Sequence, residues 1–200
     1  MQARELNVVG AYEFTPQVFP DHRGLFVSPF QEKTFIEAVG HPLFRITQTS
    51  HSKSKRGVVR GIHFTITPPG TAKYVYCPRG RSLDVVVDIR VGSPTFGKWD
   101  AVELNQETFR SIYLPVGVGH GFIILEDDTV MSYMLSGEYV AEQERALSAL
   151  DPELGLPIPR GMEPILSERD QIAPTLSAAL AQNALPDYEH CMAIERELQN

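Results

Sequence analysis

The sequence predicts an all-β fold, a barrel or double-sheet jelly roll with a few short peripheral helices, mainly C-terminal. Three observations predict it: short apolar runs alternating with polar residues, 15 glycines and 15 prolines that punctuate them, and helical periodicity confined to few segments. The clearest strand is Ser82–Arg90. There Leu83, Val85, Val87 and Ile89 alternate with Asp84, Val86, Asp88 and Arg90, giving one apolar face and one that can carry chemistry. Before it, strands are expected at Val8–Phe14, Leu25–Pro29, Phe44–Ser52, Val58–Ile66 and Lys73–Pro78. After it they are expected at Trp99–Asn105, Arg110–Leu114, Gly121–Leu125 and Val130–Ser136, with turn signals at all-β intervals. Helical spacing marks Gln31–Val39, Pro174–Ala184 and Asp187–Gln199, and Pro174 suits a first turn, where a missing N–H costs nothing. Leu147–Ile165, rich in Pro and Gly, reads as irregular chain wrapping the sheets. No repeat, low-complexity tract or linker divides residues 1–200, so one domain with a helical tail is expected.

With 42% hydrophobic and 22% charged side chains, the chain can bury a core and is neither disordered nor membrane-spanning. Its 18 basic residues against 25 acidic leave a net charge of −7, which repels nucleic acid and anionic lipid. Any polyanionic ligand must find a local basic patch. Cys77 and Cys191 form no CxxC pair, and Met1–Val8 lacks the basic segment and apolar run of a signal peptide. A reduced, cytoplasmic protein without structural zinc is expected.

Gly57-Val58-Val59-Arg60-Gly61-Ile62-His63-Phe64-Thr65 has the spacing of the first cupin signature, but Thr65 stands where a second metal histidine would be. Pro115-Val116-Gly117-Val118-Gly119-His120 resembles the second signature as far as its histidine, and Ile124 occupies the next ligand position. A metal site needs three or four converging N or O ligands; His63 and His120 alone do not supply them. No metal or other cofactor is expected, and a barrel whose inward polar groups do organic chemistry remains. His22, His41, His51 and His190 read as structural. His63 differs, because Arg60 shares its strand and the basic run His51-Ser52-Lys53-Ser54-Lys55-Arg56 precedes it as a loop. An arginine beside a titratable imidazole suits an anion held next to a proton-transfer group.

Five blocks then appear in order: Phe19-Pro20-Asp21-His22-Arg23-Gly24-Leu25-Phe26; Gln48-Thr49-Ser50-His51-Ser52-Lys53-Ser54-Lys55; Val59-Arg60-Gly61-Ile62-His63-Phe64; Asp88-Ile89-Arg90 with Gly92 through Trp99; and Leu114-Pro115 through His120-Gly121-Phe122. Together they resemble the signature blocks of the dTDP-4-dehydrorhamnose 3,5-epimerase family, from about Phe14 to Leu176. Leu185-Pro186-Asp187-Tyr188 and Pro68 through Tyr74 are similar to the branch that makes antibiotic deoxysugars in actinobacteria, including vancosamine-type 5-epimerases.

The resemblance implies an epimerase of a dTDP-4-keto-6-deoxyhexose, inverting C5, and C3 as well where C3 carries an exchangeable proton. It implies His63 as base, Asp170 in Ser167-Glu168-Arg169-Asp170 as the carboxylate orienting it, and Tyr133 in Met131-Ser132-Tyr133-Met134 as the opposing acid. Lys73 and His120 would hold the C4 oxyanion. Arg23 and Arg60 would grip the pyrophosphate, and Phe19, Phe26 and Tyr139 would pack thymine and sugar. Glu144 and Arg169 fall in family-like blocks near the pocket. By position alone, Asp170 also reads as a cap of the helix that Ala173-Pro174 opens, and Tyr133 as a half-buried strand aromatic. The family implies a homodimer whose N-terminal strand exchanges, with Arg23 serving the neighbouring site.

Two departures bear on substrate range: Ser28 replaces a usual Glu, and Thr49-Ser50 follow Gln48 where Asp-Asn is usual. Fewer hydrogen bonds to sugar hydroxyls suit a more deoxygenated hexose. The competing readings are a dTDP-4-keto-hexose 3,4-ketoisomerase, a non-catalytic nucleotide-sugar-binding cupin and a metal-dependent cupin oxygenase.

Overall fold

A computed structural model describes residues 1–199. In chain order the elements are β1 (Gln2–Glu5), β2 (Tyr12–Thr15), β3 (Val18–Asp21), β4 (Gly24–Val27), α1 (Glu32–Val39), β5 (Gln48–Ser54), β6 (Val59–Thr65) and β7 (Lys73–Arg79). They continue with β8 (Arg81–Val87), β9 (Trp99–Asn105), β10 (Ser111–Leu114), β11 (Gly119–Ile124), β12 (Thr129–Leu135), β13 (Glu144–Ala146), α2 (Glu168–Gln171), α3 (Leu176–Ala181) and α4 (Tyr188–Glu197). One sheet has the order β1-β2-β10-β7-β12-β5 and a second the order β13-β6-β11-β8-β9, both antiparallel throughout, while β3 and β4 form a separate hairpin.

The expected all-β class is therefore present, and strand alternation explains how the layers join. Val75 and Cys77 of β7, Ile112 and Leu114 of β10 and Met131 of β12 meet Val86 of β8, Leu104 of β9, and Phe122 and Ile124 of β11 in one buried cluster between the sheets. Each aliphatic side chain so buried stabilises by about 1.5–3 kcal/mol. Neighbours of opposite parity face outward: Val85 and Val87 of β8, with Val59 and Ile62 of β6, pack under Leu147, Ala149 and Leu154 of the wrapping segment and under Leu176 of α3. Phe14, Tyr74 and Tyr113 on the other outer face are covered by Phe35 of α1 and Cys191 of α4. Both faces of each sheet are thus buried in part, and the face of β8 that carries Val85 and Val87 turns away from the space between the sheets while Asp84 turns into it.

The helices begin close to where the spacing placed them. Asp187 caps α4, accepting from His190 N at 2.9 Å, and Gly40 (φ 92°) ends α1. Pro174 is not in a first turn: Thr175 is the cap of α3, accepting from Ala178 N at 3.2 Å, and Pro174 precedes it. Strand β2 starts only at Tyr12, because Val8–Ala11 close a tight turn (Ala11 N to Val8 O, 3.0 Å) that buries Val8 and Ala11 and sends β1 back along β2. The expected Leu25–Pro29 strand is the second arm of the β3–β4 hairpin. The basic run His51–Arg56 is mostly strand rather than loop. Gln48, Ser50, Ser52 and Ser54 of β5 point inward while Thr49, His51 and Lys53 are exposed, so both faces are polar and the alternation was hidden. Strands β1, β3 and β13 were not anticipated: each has three or four residues, too few for a period of two to show. Among the described residues no helix is long and apolar enough to cross a membrane.

Candidate active site

The inward face of each sheet becomes polar toward one end of the space between the sheets. On β7, Lys73 shares parity with the core residues Val75 and Cys77; on β12, Tyr133 shares it with Met131; on β11, His120 shares it with Phe122 and Ile124. Regular strand geometry alone therefore delivers these three side chains to the interior. Strand β6 needs a further device, since Arg60 and His63 are three apart and would face opposite ways. A bulge solves it: Arg60 pairs with Phe122 and His63 with His120, three residues against two, with Gly61 at φ 111° taking up the extra one. Both side chains then reach the interior while Ile62 packs outward.

These groups surround a cavity of about 610 Å³, lined by Gln48, Ser50, Arg60, His63, Lys73, His120, Tyr133, Tyr139, Glu144, Arg169 and Asp170 among others. Its size suits a sugar nucleotide; ligand pockets run from about 300 to 1,000 Å³. Arg60, Lys73 and Arg169 make it locally basic in an acidic chain.

His63 Nε2 lies 2.7 Å from Asp170 Oδ1. A carboxylate only accepts, so Nε2–H donates and the Nδ1 lone pair is left for the cavity. Burial lowers the His63 pKa from its ordinary 6.5; the hydrogen bond to Asp170 opposes this, and the net direction is down. Burial by itself would raise the Asp170 carboxyl, but the bond to His63 and its charge outweigh that and hold it below the usual range. Asp170 does not cap the following helix. It sits in α2, whose own cap Ser167 accepts from Asp170 N at 3.1 Å, and this turn aims the carboxylate at His63.

Tyr133 is the expected strand aromatic and also a cavity group. Its hydroxyl lies 3.1 Å from Ser52 Oγ, and burial raises its pKa far enough to keep the phenol protonated. Lys73 is enclosed; burial lowers its pKa, and the charges of Glu144 and Asp84 oppose the shift. Glu144 Oε1 accepts from Thr65 Oγ1 at 2.7 Å, so the residue standing in for the missing metal histidine fixes a carboxylate. Arg60 donates to Ser54 Oγ through Nε (3.2 Å) and Nη2 (3.1 Å). The Gln48 amide is taken at both ends: Nε2 donates to Ser50 Oγ (2.9 Å) and Oε1 accepts from Tyr139 N (2.9 Å). It thereby ties the Tyr139 loop to β5.

Four expected ligand contacts lie outside this cavity. Phe19, Arg23, Phe26 and Ser28 belong to the β3–β4 hairpin and the residue after it; Phe19 is 50% and Phe26 68% exposed. The Arg23 guanidinium is spent on Asp21, 2.5 Å away in its own hairpin. Among the described residues the two hairpin strands pair only with each other, and none of their residues lines the cavity. Sequence reasoning passed over Ser52, Ser54 and Asp84. Ser52 and Ser54 share strand parity with Gln48 and Ser50, and Asp84 lies on the β8 face that alternation marked as able to carry chemistry. Among the described residues no three His, Cys, Asp or Glu side chains converge as a metal site would require.

A family profile described as dTDP-4-dehydrorhamnose 3,5-epimerase matches residues 5–178. The chain is 47% identical over 199 residues, 100% of its length and 98% of the relative's, to a dTDP-4-dehydrorhamnose 3,5-epimerase of Mycolicibacterium smegmatis. It superposes with a TM-score of 0.91 at 46% identity on a 4-keto-6-deoxy sugar epimerase from the novobiocin gene cluster of Streptomyces spheroides, covering 96% of this chain and 95% of that one. A 3'-monoepimerase from Streptomyces bikiniensis, solved with dTDP-quinovose, superposes at 0.91 and 41% identity, covering 97% and 98%. A match across most of the chain, joined to a His–Asp pair and a tyrosine facing one cavity, places this protein in the dTDP-4-dehydrorhamnose 3,5-epimerase family of sugar epimerases.

Proposed function

We propose that this chain inverts C5, and C3 where it bears an exchangeable proton, of a dTDP-4-keto-6-deoxyhexose in deoxysugar biosynthesis. One observation carries the reading: His63 on β6 and Tyr133 on β12 belong to opposite sheets and line the same cavity. Inversion needs a base on one face of the sugar and an acid on the other. His63 Nδ1 removes the proton next to the ketone, and the C–H electron pair moves through the new C=C bond onto the C4 oxygen. Lys73 and His120 lie beside that oxygen and stabilise its charge. Tyr133 O–H then delivers a proton to the opposite face as the carbonyl re-forms, and solvent exchange resets both groups. No electrons leave the sugar, so no redox partner is needed. Arg60 and Arg169 hold the diphosphate, Glu144 a sugar hydroxyl, and Tyr139 the thymine.

The chain functions as a single cupin-like jelly-roll domain in the cytoplasm and as a homodimer. The hairpin supports the dimer: Phe19, Leu25 and Phe26 present a half-exposed apolar surface. Laid on a second copy, it would bring Arg23, Phe19, Phe26 and Ser28 to that copy's cavity. Mixing inactive Arg23→Ala and His63→Ala proteins would then restore about a quarter of the sites, since half of randomly paired dimers carry one intact site. Sites complete within one chain would give no recovery and overturn the exchange.

Turnover of dTDP-4-keto-6-deoxyglucose in D₂O tests the function itself. Deuterium at C5, with or without C3, is expected. A carbonyl moved to C3 would make the protein a ketoisomerase, and no exchange at all would make it a binding module.

A further inference from the structure

The space between the sheets holds a second His–Asp pair. His120 and His63 are register partners on adjacent strands, and His120 Nε2 lies 3.0 Å from each oxygen of Asp84 on the next strand, β8. Asp84 is fully buried and its carboxylate has no other hydrogen-bond partner among the described residues, whereas Asp170 also touches solvent-facing Arg169 at 3.9 Å. His120 lines the cavity and its Nδ1 makes no hydrogen bond among the described residues, so the ring is anchored through Nε2. The local sequence is committed to this pose. Gly119 and Gly121 flank His120 because a Cβ at either would come within 2.5 or 2.6 Å of the Ile62 side chain.

The chemistry then divides sharply. A neutral His120 that donates Nε2–H to Asp84 keeps a lone pair on Nδ1, which repels a developing oxyanion. Only the imidazolium places N–H bonds at both ends. The other charged or titratable groups lining the cavity are His51 on β5, Arg60 and His63 on β6, Lys73 on β7, Tyr133 on β12, Tyr139, Glu144 on β13, and Arg169 and Asp170 on α2. Burial pushes the Asp84 carboxyl up, and His120 in direct contact, with Lys73 at longer range, opposes that shift. A fully buried carboxylate needs a counter-charge in direct contact, and His120 is the group that supplies the contact.

We propose that Asp84 is a positioning residue that holds His120 as an imidazolium, with Nε2–H on the carboxylate and Nδ1–H presented to the C4 oxygen of the sugar. The proposal rests on the epimerase reading for the identity of that oxygen. The two His–Asp pairs then run in opposite senses: His63 works neutral as the base, and His120 works charged as the donor. Asp84→Asn separates the roles, because the amide oxygen still accepts Nε2–H but supplies no charge.

The test is the protonation of His120, read from ring-nitrogen NMR shifts of ¹⁵N-labelled protein with dTDP bound and assigned by their loss in His120→Asn. Near neutral pH both ring nitrogens should carry protons in the native protein, and Asp84→Asn should show the neutral Nε2–H form. In that variant kcat should fall about 10²–10³-fold, the loss of one oxyanion donor, with KM within about threefold. A neutral His120 in the native protein overturns the proposal even if Asp84→Asn fails to fold, and so does an Asp84→Asn enzyme with unchanged kcat. Absence of epimerisation by the native protein in the same samples would instead overturn the assigned reaction.

Discussion

His63→Ala should lower kcat by about 10²–10⁴-fold while leaving binding of dTDP nearly unchanged, because it deletes the base and no contact to the nucleotide. Deuterium wash-in at C5 should disappear with turnover, since no other group stands ready to take the proton from that face. Persistent wash-in at the native rate would move the base elsewhere. In the native enzyme the working form of His63 is neutral, and burial holds its pKa below 6.5 against the pull of Asp170. Protonation on acidification removes the lone pair, so kcat/KM should stay level into mildly acidic solution and fall only below that value. The enclosure of the ring outweighs the opposing pull of the Asp170 carboxylate. An acid limb centred above 6.5 would show that the carboxylate outweighs burial.

Gly61→Ala should cost roughly 2–6 kcal/mol of stability and lower Tm by about 5–20 °C, with activity lost in whatever protein still folds. Gly61 adopts φ 111°, and a Cβ there would stand 2.6 Å from both the Gly121 Cα and the His120 carbonyl oxygen, backbone that cannot swing aside. The bulge that turns Arg60 and His63 to the same side would have to open. Gly40→Ala is the matched control: its φ is 92° and nothing lies within 4 Å of the added carbon, so only the backbone preference, about 1 kcal/mol, is lost. Equal melting temperatures for the two variants would refute the steric account of the bulge.

Much of this site was legible in the chain because strand alternation is a local rule. A period of two marks Lys73 with Val75, Tyr133 with Met131 and His120 with Phe122, and each pair shares a face in the folded protein. Asp84 was equally legible by parity, opposite Leu83 and Val85 on a strand recognised at once. It was passed over because its partner His120 lies 36 residues away. The bulge in β6 broke the rule where it mattered most, and the glycine that permits it could as well have marked a turn. The hairpin residues failed for another reason. Phe19, Arg23 and Phe26 carry the family pattern, yet nothing in one chain gives them a surface to cover.

What the sequence determined by itself is what depends on neighbours within a few residues: the longer strands, the helical segments, and which side chains of a regular strand share a face. Its net charge of −7 likewise required that any diphosphate meet a local basic cluster. Only the tertiary structure decided which inward groups meet. His63 and Asp170 are 107 residues apart, and their 2.7 Å contact exists because a four-residue helix is laid against β6 after the chain has wrapped the whole sheet. Read locally, Asp170 was as good a helix cap as a catalytic partner. A hydrogen bond fixes both residues at once, and no periodicity in either segment records it.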